Sequence, residues 1–371
     1  MRRALFGGAA AARFLSGYWQ KRPLLVRQAI PGFRGLLSWE DLVALAVRDD
    51  VESRLVRRER GRWTLVHGPF RRGDLAALPA RNWTLLVQGV NLHVAAADAL
   101  LRRFSFVPWA RLDDVMVSYA APGGGVGPHV DSYDVFLLQG DGRRRWRIGR
   151  QRDLALRPGL PLRILERFHP QHDCVLESGD MLYLPPDMAH DGVALDACST
   201  YSIGFRAPSA QDLATAFLDW LRDTLALDGR YRDPDLAVTR EPARIGRDLI
   251  DYASATLARI DWDRRSLGRF LGVTLTEPKP AIAFSPPRRA LSRRAFVSRG
   301  ARAGLRLDSR TQLLYDASHL FVNGEVLVPP AGAWTGLRRL ANARELAPGT
   351  IAAPAADLLY RWYRDGFLHV R

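Results

Sequence analysis

The stretch that decides the reading is Pro122-Gly123-Gly124-Gly125-Val126-Gly127-Pro128-His129-Val130-Asp131-Ser132-Tyr133-Asp134. His129 and Asp131 stand two positions apart. On a strand, residues i and i+2 point to one face, so the spacing predicts two side chains converging on a single point. The glycines let the backbone turn tightly beside that point. They do not read as a phosphate loop, because no Lys-Ser or Lys-Thr pair follows and no helix start is expected there. A third group is expected from a distant strand that returns past the first two. Asp180-Met181-Leu182-Tyr183-Leu184-Pro185-Pro186 has a buried-strand pattern ended by prolines, which delivers His190 at a strand mouth.

An H-x-D pair alone carries little weight, since isolated histidines are mostly surface or satisfied core residues. The glycine-rich approach, the strand context and the later G-D-x-L-x-x-P-P-x-x-x-H give it force. Two imidazoles and a carboxylate compose the facial triad of non-heme iron(II) oxygenases. Three protein ligands on one face leave three positions, two for a chelating 2-oxo acid and one for dioxygen. The same ligands would suit a zinc hydrolase. A cupin-type site with clustered histidines is not offered here.

Arg143-Arg144-Arg145-Trp146-Arg147-Ile148 alternates faces as a strand, so Arg144 shares the apolar side with Trp146 and Ile148 and is expected to point inward. A buried arginine needs an anion. The far carboxylate of 2-oxoglutarate is one candidate; an internal ion pair to Asp134 or Glu177 is the other. Ser118 and Thr200 can reach inside from their own strands. His169 and His172 imitate a metal pair, but their loop and the lack of a neighbouring carboxylate give them a surface role. His67, His93, His319 and His369 have no constellation around them.

Around this centre, residues 113 to 207 read as short strands separated by Gly, Pro and Asp clusters: Val115–Tyr119, Val135–Gln139, Arg145–Ile148, Cys174–Glu177, Met181–Leu184 and Thr200–Phe205. That texture predicts a β-sandwich or barrel. Residues 1 to about 110 read as helical and turn-rich, with a capping-box helix start at Ser38-Trp39-Glu40-Asp41. The arginine-interrupted apolar start from Met1 reads as a helix rather than a targeting signal. Ser209 and Asp212 cap a helix striped by Leu213, Phe217, Trp220 and Leu221, and a second carries Ile245, Leu249, Ile250, Leu257 and Ile260. Faces that wide need burial, and a partner subunit would supply it. A proline-rich linker runs from Glu277 to Pro287. Beyond it, the Asn323-Gly324 hairpin signal and helical segments at 333–345 and 354–365 fit a small α+β module of winged-helix type.

The chain has 371 residues, two cysteines and a net charge of +15. No run approaches the roughly 18 apolar residues of a membrane span. Cys174 and Cys198 make no disulfide framework, so a reducing cytoplasm is expected. No repeat of 20 to 50 residues suggests a solenoid. The positive charge is almost all arginine and dispersed, which favours a polyanionic surface nearby, such as ribosomal RNA, over sequence-specific DNA binding.

These residues resemble the bacterial JmjC-type ribosomal oxygenases. The resemblance is carried by Trp19-Gln20-Lys21-Arg22-Pro23, Val66-His67-Gly68-Pro69-Phe70, Pro122 to Asp131, Tyr133-Asp134-Val135-Phe136, Gly142 to Arg147, Gly179 to Pro186 and Tyr201 to Pro208. It covers the first 210 residues; beyond them the likeness is one of layout. It implies a double-stranded β-helix (jelly-roll, cupin-superfamily) domain over 1–208 with its core at about 95–208. A helical dimerisation domain at 209–276 and a winged-helix-like domain at 277–371 follow. It implies Fe(II) at His129, Asp131 and His190, with 2-oxoglutarate held by Arg144 and Ser118. Where relatives carry asparagine this chain has Thr200, the remaining cofactor contact considered.

The implied activity is hydroxylation of an arginine of large-subunit ribosomal protein L-sixteen by a cytoplasmic homodimer. The alternatives are a histidine hydroxylase, a lysine demethylase on another protein, or a non-catalytic ribosome- or nucleic-acid-binding protein. A chain this basic meets a basic substrate against like charge, so the pocket itself should be acidic. Asp134 or the Asp113-Asp114 pair are the candidates.

Overall fold

The computed structural model describes residues 11–371. The helix expected from Met1 lies outside the described residues as far as residue 10; Ala11–Gly17 forms α1. Helix α2 (Trp39–Ala46) begins with the capping box read from the sequence, Ser38 and Asp41 bonding reciprocally. Short helices α3 (Arg72–Ala76), α4 (Val90–His93) and α5 (Ala95–Leu101) complete the N-terminal third.

The strands are β1 (Leu24–Val26), β2 (Ser53–Glu59), β3 (Arg62–His67), β4 (Trp83–Val87), β5 (Leu112–Ala120), β6 (Val135–Gln139), β7 (Arg144–Gly149), β8 (His172–Leu176), β9 (Met181–Leu184), β10 (Ala189–Ala194) and β11 (Cys198–Phe205). Eight form one sheet in the order β1-β9-β6-β11-β5-β4-β2-β3, and three form a second in the order β10-β7-β8. Every pairing is antiparallel.

Period-two alternation gives the large sheet two different faces. Val115, Val117, Tyr201, Ile203 and Phe205 pack outward against Phe14, Leu42 and Phe104 of the N-terminal segment. Their neighbours Asp114, Met116, Ser118, Thr200 and Ser202 line a cavity on the other face. The expectation of a turn-rich N-terminal region is therefore corrected. Its β2, β3 and β4 extend the large sheet, and Arg54, Val56, Leu65, Thr84 and Leu86 wall the same cavity.

Helices α6 (Ala210–Thr224), α7 (Arg247–Leu257) and α8 (Arg264–Thr276) follow the barrel. Ser209 and Asp212 cap α6 as read. Neither α6 nor α7 buries a residue; Leu218 is 63% exposed and Leu257 63%. Helix α8 buries Phe270 and Gly272, where a side chain on Gly272 would strike the Phe321 ring.

The C-terminal unit holds α9 (Arg293–Ala303), β12 (Leu305–Leu307), β13 (Leu313–Tyr315), β14 (Leu320–Val322), β15 (Glu325–Leu327), α10 (Trp334–Ala343), β16 (Glu345–Leu346), α11 (Ala356–Arg364) and β17 (Leu368–Val370). Its own core gathers Phe296, Leu305, Leu337, Leu359 and Trp362. The Asn323-Gly324 turn joins β14 to β15 with positive φ at both residues, 49° and 87°, the geometry of a two-residue hairpin.

Asp134 is fully buried, but on the outer side of the barrel. It accepts from the Tyr183 hydroxyl at 2.5 Å and from Gln20 Nε2 at 2.9 Å, with Arg111 at 3.5 Å. It serves the fold, not the pocket, which overturns its candidacy as the acidic pocket residue and as a partner for Arg144. The Tyr183 hydroxyl also accepts from the Gln20 backbone N–H at 2.7 Å. Tyr183→Phe removes both bonds and is expected to cost about 1–3 kcal/mol in a urea unfolding titration, with the fold kept.

Candidate metal and co-substrate centre

The site begins where the 122–131 segment runs along β10. Gly123 N–H donates to Ala194 O at 2.8 Å, and Ala194 N–H returns a bond to Gly124 O at 2.9 Å. Further on, His129 and His190 exchange backbone bonds at 3.0 and 2.9 Å. The approach between these contacts requires glycine. A side chain at Gly124 would strike the Trp83 carbonyl, and one at Gly125 the Gly192 carbonyl. Here the strand expectation for His129 and Asp131 needs correcting. His129 makes an isolated bridge and Asp131 lies beyond it in irregular chain, whereas His190 is the second residue of β10.

The convergence holds even so. The imidazole centroids of His129 and His190 are 4.2 Å apart. Asp131 Oδ1 is 3.8 Å from His129 Nε2, and Asp131 Oδ2 is 3.6 Å from His190 Nε2. One ligand atom from each of the three lies within 4.8 Å of the others, the arrangement a single metal ion needs. Each Nδ1 faces a backbone carbonyl, Gly127 O at 2.9 Å and Met188 O at 2.8 Å. Those contacts place the proton on Nδ1 and leave the Nε2 lone pairs turned toward Asp131. Burial, reinforced by His129, holds the His190 pKa down to about 4, so its neutral, metal-binding form persists well into acid.

The cavity beside the triad has a volume of about 690 Å³. Arg144 points into it as strand parity predicts and is 4% exposed. Its Nη1 donates to Ser118 Oγ at 3.1 Å, while Nε and Nη2 are buried without an acceptor. No internal ion pair to Asp134 or Glu177 forms among the described residues. Thr84 Oγ1 and Trp146 Nε1 are also buried, cavity-lining and unpartnered. Buried donors of this kind mark a place where a polar guest supplies the missing acceptors, and a carboxylate matches a guanidinium. Thr200 Oγ1 lines the cavity but donates to Gln139 Oε1 at 3.0 Å. His169 and His172 are exposed, as expected.

At its other end β5 brings Asp114 into the cavity. Four residues separate it from Ser118, roughly 13 Å along a strand. Asp114 accepts from Gln88 Nε2 at 2.9 Å and Gly89 N–H at 2.9 Å. Burial and the adjacent Asp113 push its carboxyl up, against the pull of Lys279. Lys279 Nζ lies 3.5 Å from Asp114 and 3.7 Å from Asp113, so a cation already sits at this pair. Tyr133, Met116 and Gln88 complete that end and were not singled out from the sequence. The alternation that offered Ser118 also carries Asp114 and Met116, so for those two the signal was there. Burial with Asp131 and Asp114 nearby raises the Tyr133 phenol and keeps it neutral.

The comparisons with known proteins fit this geometry. A JmjC domain family model matches residues 99–213, and a ROXA-like winged helix model matches 259–369. The chain is 37% identical over 275 residues to the ribosomal protein uL16 3-hydroxylase of Escherichia coli (strain K12), covering 74% of this chain and 73% of that one. The chain belongs to the JmjC-type ribosomal oxygenases. The structure of YcfD, a ribosomal oxygenase from Escherichia coli, in complex with cobalt and 2-oxoglutarate matches this ribosomal oxygenase with a TM-score of 0.81 at 31% identity. A further X-ray structure of E. coli YcfD gives a TM-score of 0.83; both cover 98% of each chain. JmjC-type double-stranded β-helix and winged helix, both read from the sequence, are thus the architecture of this oxygenase.

Unfolding exposes His190, which then takes up a proton near 6.5 instead of near 4. The unfolded chain binds more protons in that window, so His190 makes the metal-free protein less stable as pH falls from 6.5 to 4. His190→Gln should flatten this part of the profile in thermal unfolding at constant ionic strength; an unchanged slope would rule out the buried neutral imidazole as its source.

Proposed function

We propose that this ribosomal oxygenase is an iron(II)- and 2-oxoglutarate-dependent hydroxylase of an arginine side chain on large-subunit ribosomal protein uL16. The observation that carries the reading is the content of one cavity: a three-ligand metal set, a buried guanidinium lacking two acceptors, and a carboxylate pair that already seats a cation. The relative named for uL16 3-hydroxylation and the YcfD complex with 2-oxoglutarate support it.

In this reading His129, Asp131 and His190 hold iron(II) through Nε2, a carboxylate oxygen and Nε2. Arg144 receives the far carboxylate of 2-oxoglutarate on Nε and Nη2, and Ser118 fixes the guanidinium by accepting from Nη1. Thr200, already bonded to Gln139, shapes the wall. Bound iron(II) and 2-oxoglutarate supply the oxidising chemistry by which dioxygen hydroxylates a carbon–hydrogen bond. The protein aligns the substrate: its guanidinium replaces the Lys279 ammonium at Asp114, and neutral Tyr133 and Met116 flank it and exclude water. A cationic target favours arginine, with lysine second, over the neutral imidazole of a histidine hydroxylase's substrate.

The finer layout belongs to the same proposal. Residues 1–208 form the catalytic domain, 209–276 a helical region whose exposed faces on α6 and α7 pair two copies, and 277–371 the winged-helix domain. Cys174 and Cys198 are free thiols, and no helix among the described residues is long and apolar enough to cross a membrane. The free thiols suit a reducing cytoplasm. The net charge of +15 supports work beside ribosomal RNA.

His129→Ala and Asp131→Ala are expected to abolish substrate-coupled succinate release and the gain of one oxygen atom on a recombinant uL16 fragment, measured by intact mass. Retained turnover would sink the metal assignment. Asp114→Asn removes a charge-assisted contact of about 1.5–3 kcal/mol, so KM for the fragment should rise roughly 10- to 150-fold with a smaller change in kcat. An unaltered KM would exclude Asp114 from substrate binding.

A further inference from the structure

The C-terminal unit carries a second concave surface, a groove of about 450 Å³. Arg289, Arg299, Arg302, His369 and Arg371 line it, and Tyr363 lies among them. No acidic side chain does. The chain from 288 to 302 holds six arginines and no acid. Spaced three apart on α9, Arg299 and Arg302 project from one face near its C-terminus.

Three arginines of this unit, one of them in the groove, have a carboxylate. Arg293 pairs with Asp357, Arg310 with Asp308 at 2.7 Å, and Arg371 with Glu345 at 3.3 Å. Arg289, Arg299 and Arg302 are exposed, and among the described residues no carboxylate or hydrogen-bond acceptor engages them. The α9 macrodipole rewards a cation in its last turn, which accounts for Arg302 alone. It does not account for Arg299 a turn earlier or for Arg289 before the helix. The backing is firm: Tyr363 is buried, stacks on Phe296 at 4.9 Å and accepts from the Leu291 N–H at 3.2 Å. Convergent free guanidinium groups on a rigid concave wall concentrate multivalent anions.

The number of free guanidinium groups selects among anions. Three guanidinium groups in one groove can each take a phosphate of a chain, which one small anion does not offer. The last helix, α11, offers a different face, where Asp357 and Asp365 stand beside Arg361 and Arg364. That mixed-sign face suits neither phosphate contacts nor base reading.

We propose that the groove binds the phosphodiester backbone of a nucleic acid without reading its sequence. Naming ribosomal RNA as its source rests on the reading that the enzyme acts on a ribosomal protein; the groove's affinity for phosphodiesters does not. The groove would hold the enzyme beside its protein substrate through a surface separate from the oxygenase cavity.

The test is fluorescence anisotropy with the full-length protein. The probes are a labelled single-stranded RNA of about 20 nucleotides, an RNA hairpin and a DNA duplex of similar length, and an acidic peptide of comparable charge. Three phosphate contacts predict a log–log salt slope near −2 on single strands, about 20-fold weaker binding from ~50 to ~200 mM salt. Arg299→Glu with Arg302→Glu should weaken RNA binding at least tenfold, leaving the unfolding midpoint and the hydroxylation of a short uL16 peptide unchanged. The double lysine variant should stay within about threefold of the parent, because phosphate contacts need the charge more than the fork. Undiminished RNA binding by the glutamate variant would overturn the site. So would an acidic peptide that binds more tightly than RNA and is lost in the same variant, which would reassign the groove to an acidic protein. Equal binding of RNA and DNA would keep the phosphodiester site and overturn RNA as the specified source. RNA binding that is lost in the variant, in a protein that hydroxylates no uL16 peptide, would keep the groove and refute the oxygenase reading instead.

Discussion

Two backbone hydrogen bonds between His129 and His190 set the geometry on which the catalytic end of this molecule depends. One partner belongs to the segment leaving the eight-stranded sheet, the other to β10 of the three-stranded sheet. Because side-chain direction alternates along an extended chain, a slip of one residue would turn an imidazole out of the site. The contacts of Gly123 and Gly124 with Ala194 pin that register, and Gly125 against Gly192 lets the two backbones close. The two histidines of the candidate metal site are thus positioned by main-chain bonding, and their rings are oriented by the carbonyls of Gly127 and Met188.

Much of this was legible because it obeys short periods. The i, i+2 relation of His129 and Asp131, the inward turn of Arg144 and the Asn323-Gly324 hairpin follow from local stereochemistry. What stayed hidden depended on partners far away in sequence. The 53–59 strand reads Ser-Arg-Leu-Val-Arg-Arg-Glu, too charged to declare itself, because only one face meets the cavity while β3 and β4 satisfy its backbone. Asp134 looked like a free acid beside the site; only the fold brings Tyr183, Gln20 and Arg111 around it. Asp113 and Asp114 were legible as a pair, but Lys279 arrives from more than 160 residues away.

Charge is distributed so that one basic chain can present two opposite surfaces. The oxygenase cavity brings Asp113 and Asp114 to the end away from the triad. The hollow beside α9 has arginines and no carboxylate among its lining side chains. A net charge of +15 is therefore a poor guide to any one surface, since local fields fall off within about a Debye length of 8–10 Å at physiological salt.

Arg144 carries a consequence for how long the protein survives in the cell. A folded chain that buries two guanidinium donors without acceptors gives up part of its own stability. Any dicarboxylate that completes those bonds returns it, and ligand that binds only the folded state shifts the folding balance in proportion to its free concentration. On the proposed assignment of Arg144 to 2-oxoglutarate, the lifetime of the protein against proteolysis then rises and falls with the supply of that dicarboxylate. On that assignment, a cavity that holds a reactant also makes the abundance of the catalyst answer to that reactant.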